Sequence, residues 1–131
     1  MLVHQYTRAY SAQLLHLVLC MIWNAVGVYQ IAQGQQPIGP VASLNGIVVM
    51  TILSMTLLIL LHKGCEKSYC LVSLLPAMAA LLAIIGAFTG EPTNWPTAIW
   101  RWAGVAVNII GLVGLLQVVR CFRANKPAHH A

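Results

Sequence analysis

Gln13, His16, Cys20, Asn24 and Gly27 follow one another at steps of three and four residues, which on an α-helix brings all five onto one face. Amides, an imidazole and a thiol in such a row can hydrogen-bond a neighbouring helix or line a path for a polar substrate, and His16 is able to carry a proton. A second row with the same spacing holds Thr97, Arg101, Gly104, Asn108 and Gly111, and a third, Ser43, Gly46, Met50 and Ser54, can face it. At 1.5 Å per residue, Asn24 and Asn108 fall within about 5 Å of the same depth. The two amides can therefore meet as an interhelical hydrogen bond or together line a substrate site.

His62, Cys65, Cys70 and Cys121 are ligands of the kinds that suit zinc or copper, and all four fall near one end of the apolar segments. No CxxC pair is present, so a soft metal ion stands beside the plainer reading of reduced, incidental thiols. His16 and His62 lie on different helices about 8 Å apart in depth, which makes them the pair that would hold a haem. No cofactor is required by any other residue pattern. Catalysis has no support in motifs, for there is no GxSxG, no HExxH and no phosphate-cradling glycine loop. The chain is expected not to be an enzyme.

These residues must be positioned by elements that live in lipid. Of 131 residues, 60% are hydrophobic and 7% charged, against roughly a quarter charged in soluble proteins. So few charges cannot cover a water-exposed surface, and a disordered chain would be rich in them. No formal charge occurs between Arg8 and Lys63, a stretch long enough for two crossings of about 20 residues. Gln33 to Pro40, with two glycines and two prolines, breaks it. Two further charge-free stretches flank Gly90 to Pro96. The fold class is an all-α integral membrane protein, a four-transmembrane-helix bundle with short loops and helices near 11–31, 41–61, 69–89 and 98–119. Helix 3 offers small residues, Ser73, Ala77, Ala80 and Ala87, with Pro76 as a kink. Residues 120–131 form a short basic cytoplasmic tail that includes His129 and His130.

Four crossings put the termini and the central loop on one side, which then carries Arg8, Lys63, Lys67, Arg120, Arg123 and Lys126; the other side has Arg101 alone. By the positive-inside bias both termini are cytoplasmic, in the inner membrane of a cell. The formal net charge of +5 thus reads as topology and contact with membrane lipid, not nucleic-acid binding. Trp95, Trp100 and Trp102 suit an aromatic belt on the opposite face, and Glu91 can pair with Arg101 there. No acidic residue is expected inside a span, Glu66 and Glu91 both reading as loop residues.

In length and helix count the chain resembles the small multidrug resistance family of four-helix dimeric transporters. Asn24-Ala25-Val26-Gly27 is similar to the part of that family's first helix where a carboxylate precedes a glycine by three, and Gly90-Glu91 before a glycine-spaced helix is similar to its last hairpin. The resemblance implies a small oligomeric transporter or channel. Three features depart from it: Asn24 stands in place of the coupling glutamate, the spacing from Glu91 to Gly104 is longer, and the charge bias opposes insertion in two orientations. The leading expectation is instead a non-enzymatic subunit, anchor or interaction partner, in a homo-oligomer or with another membrane protein. A membrane redox or metal-handling protein using His16, His62 and the cysteines is the third.

Overall fold

The computed structural model describes residues 2–125, and Lys126, His129 and His130 of the expected tail lie outside the described residues. Four helices, α1 (Leu2–Ala32), α2 (Leu44–His62), α3 (Glu66–Thr89) and α4 (Ala98–Ala124), are joined by short connections, with a 3₁₀ turn at Pro92–Asn94. All four are long and apolar enough to cross a membrane, and no strand occurs among the described residues. The chain is a multi-pass membrane protein built as a four-helix bundle.

Helix ends follow local chemistry. Gly34 and Gly64 adopt positive φ (70° and 69°) just past α1 and α2. At each the following amide reaches back five residues, Gln35 N–H to Gln30 C=O at 2.8 Å and Cys65 N–H to Leu60 C=O at 3.0 Å. This Schellman arrangement satisfies otherwise orphaned carbonyls. Ser43 caps α2 by accepting from the Gly46 amide at 3.1 Å, so α2 begins three residues later than expected and leaves Val41 exposed in the loop.

The start of α1, the start of α3 and the end of α4 reach further than expected, because the terminus-bearing end of the bundle has its own core. Tyr6 and Ala9 are fully buried there, which extends α1 nine residues before Ser11. With them pack Leu17, Leu57, Leu61, Tyr69 and Val118, and Cys121 packs on the same cluster and carries α4 through 120–124, residues expected as tail. Glu66 is the first residue of α3 rather than a loop residue, where its charge suits the helix dipole. It accepts from Tyr6 Oη at 2.6 Å and from Asn125 Nδ2 at 2.7 Å, tying α1, α3 and the end of α4 together. Helix α3 continues through the buried Pro76.

Around the bundle the order is α2, α1, α4, α3, and the seam that closes the ring, between α2 and α3, is the thinnest. The tight turn at Lys63-Gly64-Cys65 holds α2 and α3 together at the terminus end. Away from it the two helices share little, and the opposite half of the bundle encloses a cavity.

Candidate ligand-binding cavity

The cavity measures about 560 Å³ and every helix contributes to its wall. That is within the range of sites for small molecules, roughly 300–1,000 Å³. Helix α1 supplies His16, Cys20, Trp23 and Asn24; α2 supplies Gly46 and Met50; α4 supplies Arg101, Gly104, Val107 and Asn108. The α3 wall is small and apolar, with Ala79, Ala83 and Gly86 beside Leu82. These α3 residues are also exposed on the outer surface of the bundle, Leu82 at 65%. Pro40, Val41 and Asn94, which line the loop end of the cavity, are exposed as well.

The loop end is partly roofed. Gln36 Nε2 donates to the Thr93 carbonyl at 2.6 Å, joining the α1–α2 loop to the α3–α4 loop. Ile38 is buried beneath that link, its amide held at 2.8 Å by Gln30 Oε1. Trp95, 92% buried by its 8% exposure, packs with Ala87 and Val105 at the same end. Trp95 is thus a roof residue and not part of a belt, whereas Trp100 and Trp102 are exposed as expected. Trp100 sets its ring edge-on to Trp23 at 6.0 Å, and Trp102 does the same with Phe88 at 5.4 Å.

Asn24 and Asn108 both line the cavity but do not bond one another, which corrects the expected amide pair. Each donates its NH₂ to the carbonyl four residues earlier in its own helix, Asn24 to Cys20 and Asn108 to Gly104, both at 2.8 Å. That fixes each side-chain oxygen toward another element. Asn24 Oδ1 accepts from the Ser43 amide at 3.0 Å at the start of α2. Asn108 Oδ1 lies 3.4 Å from His16 Nε2, which is also 3.4 Å from Cys20 Sγ. An oxygen that only accepts needs the Nε2–H tautomer opposite it. His16 Nδ1 then lies buried without a partner, its ring flat on Gly111, where an added Cβ would meet it at 2.7 Å.

Arg101 stands at the roofed end without a carboxylate. Among the described residues Glu91 does not pair with it, and the guanidinium carbon lies 5.9 Å from the centre of the Trp102 ring. Arg101 Nε is buried and has no hydrogen-bond partner. Gln13, the remaining candidate, lies below the cavity, 2% exposed, and accepts from Tyr69 Oη at 2.6 Å.

The expected metal and haem ligands do not assemble. Among the described residues no three His, Cys, Asp or Glu side chains come together in a way that could hold a metal ion. His62 and Cys65 are exposed, with His62 Nδ1 against its own Leu58 carbonyl at 3.0 Å. Cys70 and Cys121 pack against the inner core instead, and Cys121 Sγ lies 3.4 Å from the Gln5 carbonyl. His62 faces outward while His16 is buried in the bundle, so the two imidazoles share no site.

Trp23 and Gly86 belong to the site and are absent from the sequence reading, which places Trp95 only in an aromatic belt. For Trp23 a signal existed, since it is the three-residue step from Cys20 where Asn24 is the four-residue step. Gly39 and Gly104 leave room for its indole, an added Cβ meeting it at 2.6 Å and 3.5 Å. Trp95 and Gly86 carry no such periodic signal. Comparison with protein-family models, curated proteins and solved structures gave no match.

Proposed function

We propose that this membrane protein is a non-enzymatic binding protein for a small amphipathic molecule that reaches its interhelical cavity from the lipid. The observation that carries the reading is the bundle's thinnest seam, between α2 and α3, beside a cavity whose loop end is tied by the Gln36–Thr93 bond. A molecule dissolved in water meets the linked loops, whereas one lying among lipid chains meets small side chains and a gap. The wall suits such a molecule, being mainly apolar with a few convergent hydrogen-bonding groups, Asn24, Asn108 and Arg101, toward the roofed half.

The exposed Arg8, Lys63, Lys67, Arg120 and Arg123 at one end support cytoplasmic termini and an inner-membrane location. The opening then faces the outer leaflet. Packing against a partner has less support than the sequence alone offered it. Small residues that suggested it are used inside this chain: Gly111 against His16, Gly46 against Asn24, and Ala80 and Ala87 in the core.

Plugging the gap tests the reading. An added Cβ at Gly86 meets nothing within 4 Å, so Gly86→Phe fills the opening without disturbing the packed half. Native mass spectrometry of protein extracted in mild, uncharged detergent should show a small-molecule adduct on the unaltered chain and none on Gly86→Phe. An adduct-free unaltered chain that also fails to take up added hexadecanol would refute the proposal.

A further inference from the structure

Arg101 is the one cation in the cavity wall, and its situation constrains what the cavity holds. A guanidinium offers five donors and no acceptor. Here Nε is buried without an acceptor, and neither described carboxylate is near enough to pair with the group: Glu66 is bonded by Tyr6 and Asn125 at the far end of the bundle, and Glu91 stays exposed in the α3–α4 connection. Contact with the Trp102 ring offsets part of the cost, since a cation over an aromatic face is attracted, but it satisfies no N–H. Arg101 is half-buried, and its terminal nitrogens are not among the buried unpartnered atoms, so they stay open to an acceptor entering the cavity.

The surroundings are equally specific in shape. Arg101 lies toward the roof formed by Asn94, Trp95 and the α1–α2 loop. From there the wall runs along Gly86, Ala83 and Ala79 to the deep end, without a charge. A cation at one end of a smooth apolar trough matches an anion at one end of an apolar chain.

Resting on the proposed function, we infer that the ligand is an anionic amphiphile whose oxyanion head, a carboxylate or a phosphate, pairs with Arg101 while its chain lies along α3 and leaves through the α2–α3 gap. Arg101 donates two parallel hydrogen bonds to such a head, the geometry that makes arginine preferable to lysine for carboxylates and phosphates. The head has two sources in a membrane, a free fatty acid or an anionic phospholipid.

The test compares ligands that differ only in charge. Palmitate and hexadecanol are titrated into the full-length protein in an uncharged detergent and counted by native mass spectrometry, with phosphatidylglycerol and phosphatidylcholine as a second pair. The expected result is binding of palmitate, phosphatidylglycerol or both at least about tenfold tighter than of the matching ligand without net charge, the scale of one charge-assisted hydrogen bond. Arg101→Gln should erase that preference, so that palmitate and hexadecanol bind alike, and Arg101→Lys should keep part of it. A gain confined to palmitate identifies a fatty acid as the source; a gain confined to phosphatidylglycerol identifies the phospholipid. Equal binding of charged and uncharged partners, or a preference that survives Arg101→Gln, overturns the inference and leaves the cavity reading intact. Failure of every ligand to bind the unaltered chain removes both.

Discussion

Tyr69 Oη donates to Gln13 Oε1 at 2.6 Å, joining the diagonal helices α3 and α1 directly below the cavity. Tyr69 also meets the Tyr6 ring edge-on, 5.3 Å between centroids. Gln13 Nε2 is already buried without an acceptor. Tyr69→Phe therefore leaves the whole Gln13 amide unpartnered and should cost about 1–2 kcal/mol, above the ~0.6 kcal/mol average of interhelical bonds in membrane proteins. Gln13→Leu added to Tyr69→Phe should recover most of the loss. Equilibrium unfolding in mixed micelles measures both; additive losses in the double variant would contradict this account of the pair.

The same exchange, glycine to alanine, should have opposite effects at two positions. At Gly114 an added Cβ meets Gln13 Cγ at 2.9 Å and the Gln13 backbone nitrogen at 3.3 Å, and backbone cannot swing aside. Gly114→Ala should push α1 from α4 and cost about 1–3 kcal/mol by overpacking. Gly86→Ala meets open space, so the gain in helix propensity decides the sign and stability should rise by up to about 1 kcal/mol. Unfolding midpoints of the two variants, measured side by side, check the contrast.

Glu66 accepts from Tyr6 and from Asn125, and Asn125 Nδ2 also lies 3.1 Å from Gln5 Oε1. Glu66→Ala removes the common acceptor of α1 and α4. Amide exchange in the last turn of α4, residues 121–125, should speed up while the middle of α4, held by Val105, Gly111 and Val118 in the core, stays protected. Unchanged exchange at 121–125 would show that the helix end is held by other contacts.

Cys65 is exposed in the α2–α3 turn beside Lys63 and Lys67. The proposed orientation puts that turn in the cytoplasm and predicts that a membrane-impermeant maleimide modifies Cys65 only after the membrane is opened. Modification of Cys65 in intact spheroplasts would reverse the orientation.

The parts of this architecture written as long-range patterns in composition were readable before any coordinates. Charge-free runs broken by Gln33 to Pro40 and by Gly90 to Pro96 gave the number of helices, and the three-and-four spacing of His16, Cys20 and Asn24 gave the inward face of α1. The start of α1 and the end of α4 were not readable, because Tyr6 and Cys121 extend these helices by burial against residues distant in sequence. The Asn24–Asn108 pair failed for a related reason. Depth along a helix can be counted, but the rotation that points each amide at its own i−4 carbonyl and beyond cannot. The cavity depends on a void between α2 and α3, and a void left by Ala79, Ala83 and Gly86 looks in sequence like any close-packing small-residue face.

The central claim is that lipid-borne molecules occupy the cavity through the α2–α3 gap, and photolabelling tests it most directly. Hexadecanol carrying a mid-chain diazirine is added to membranes containing the protein, irradiated, and the modified residues mapped by mass spectrometry. The cavity wall, Cys20, Met50, Val107 and Ala83, should be labelled above the outward-facing Leu75, Ile109 and Leu116, with Gly86→Phe abolishing the excess. Labelling confined to the outward-facing residues, unchanged in Gly86→Phe, would contradict the account.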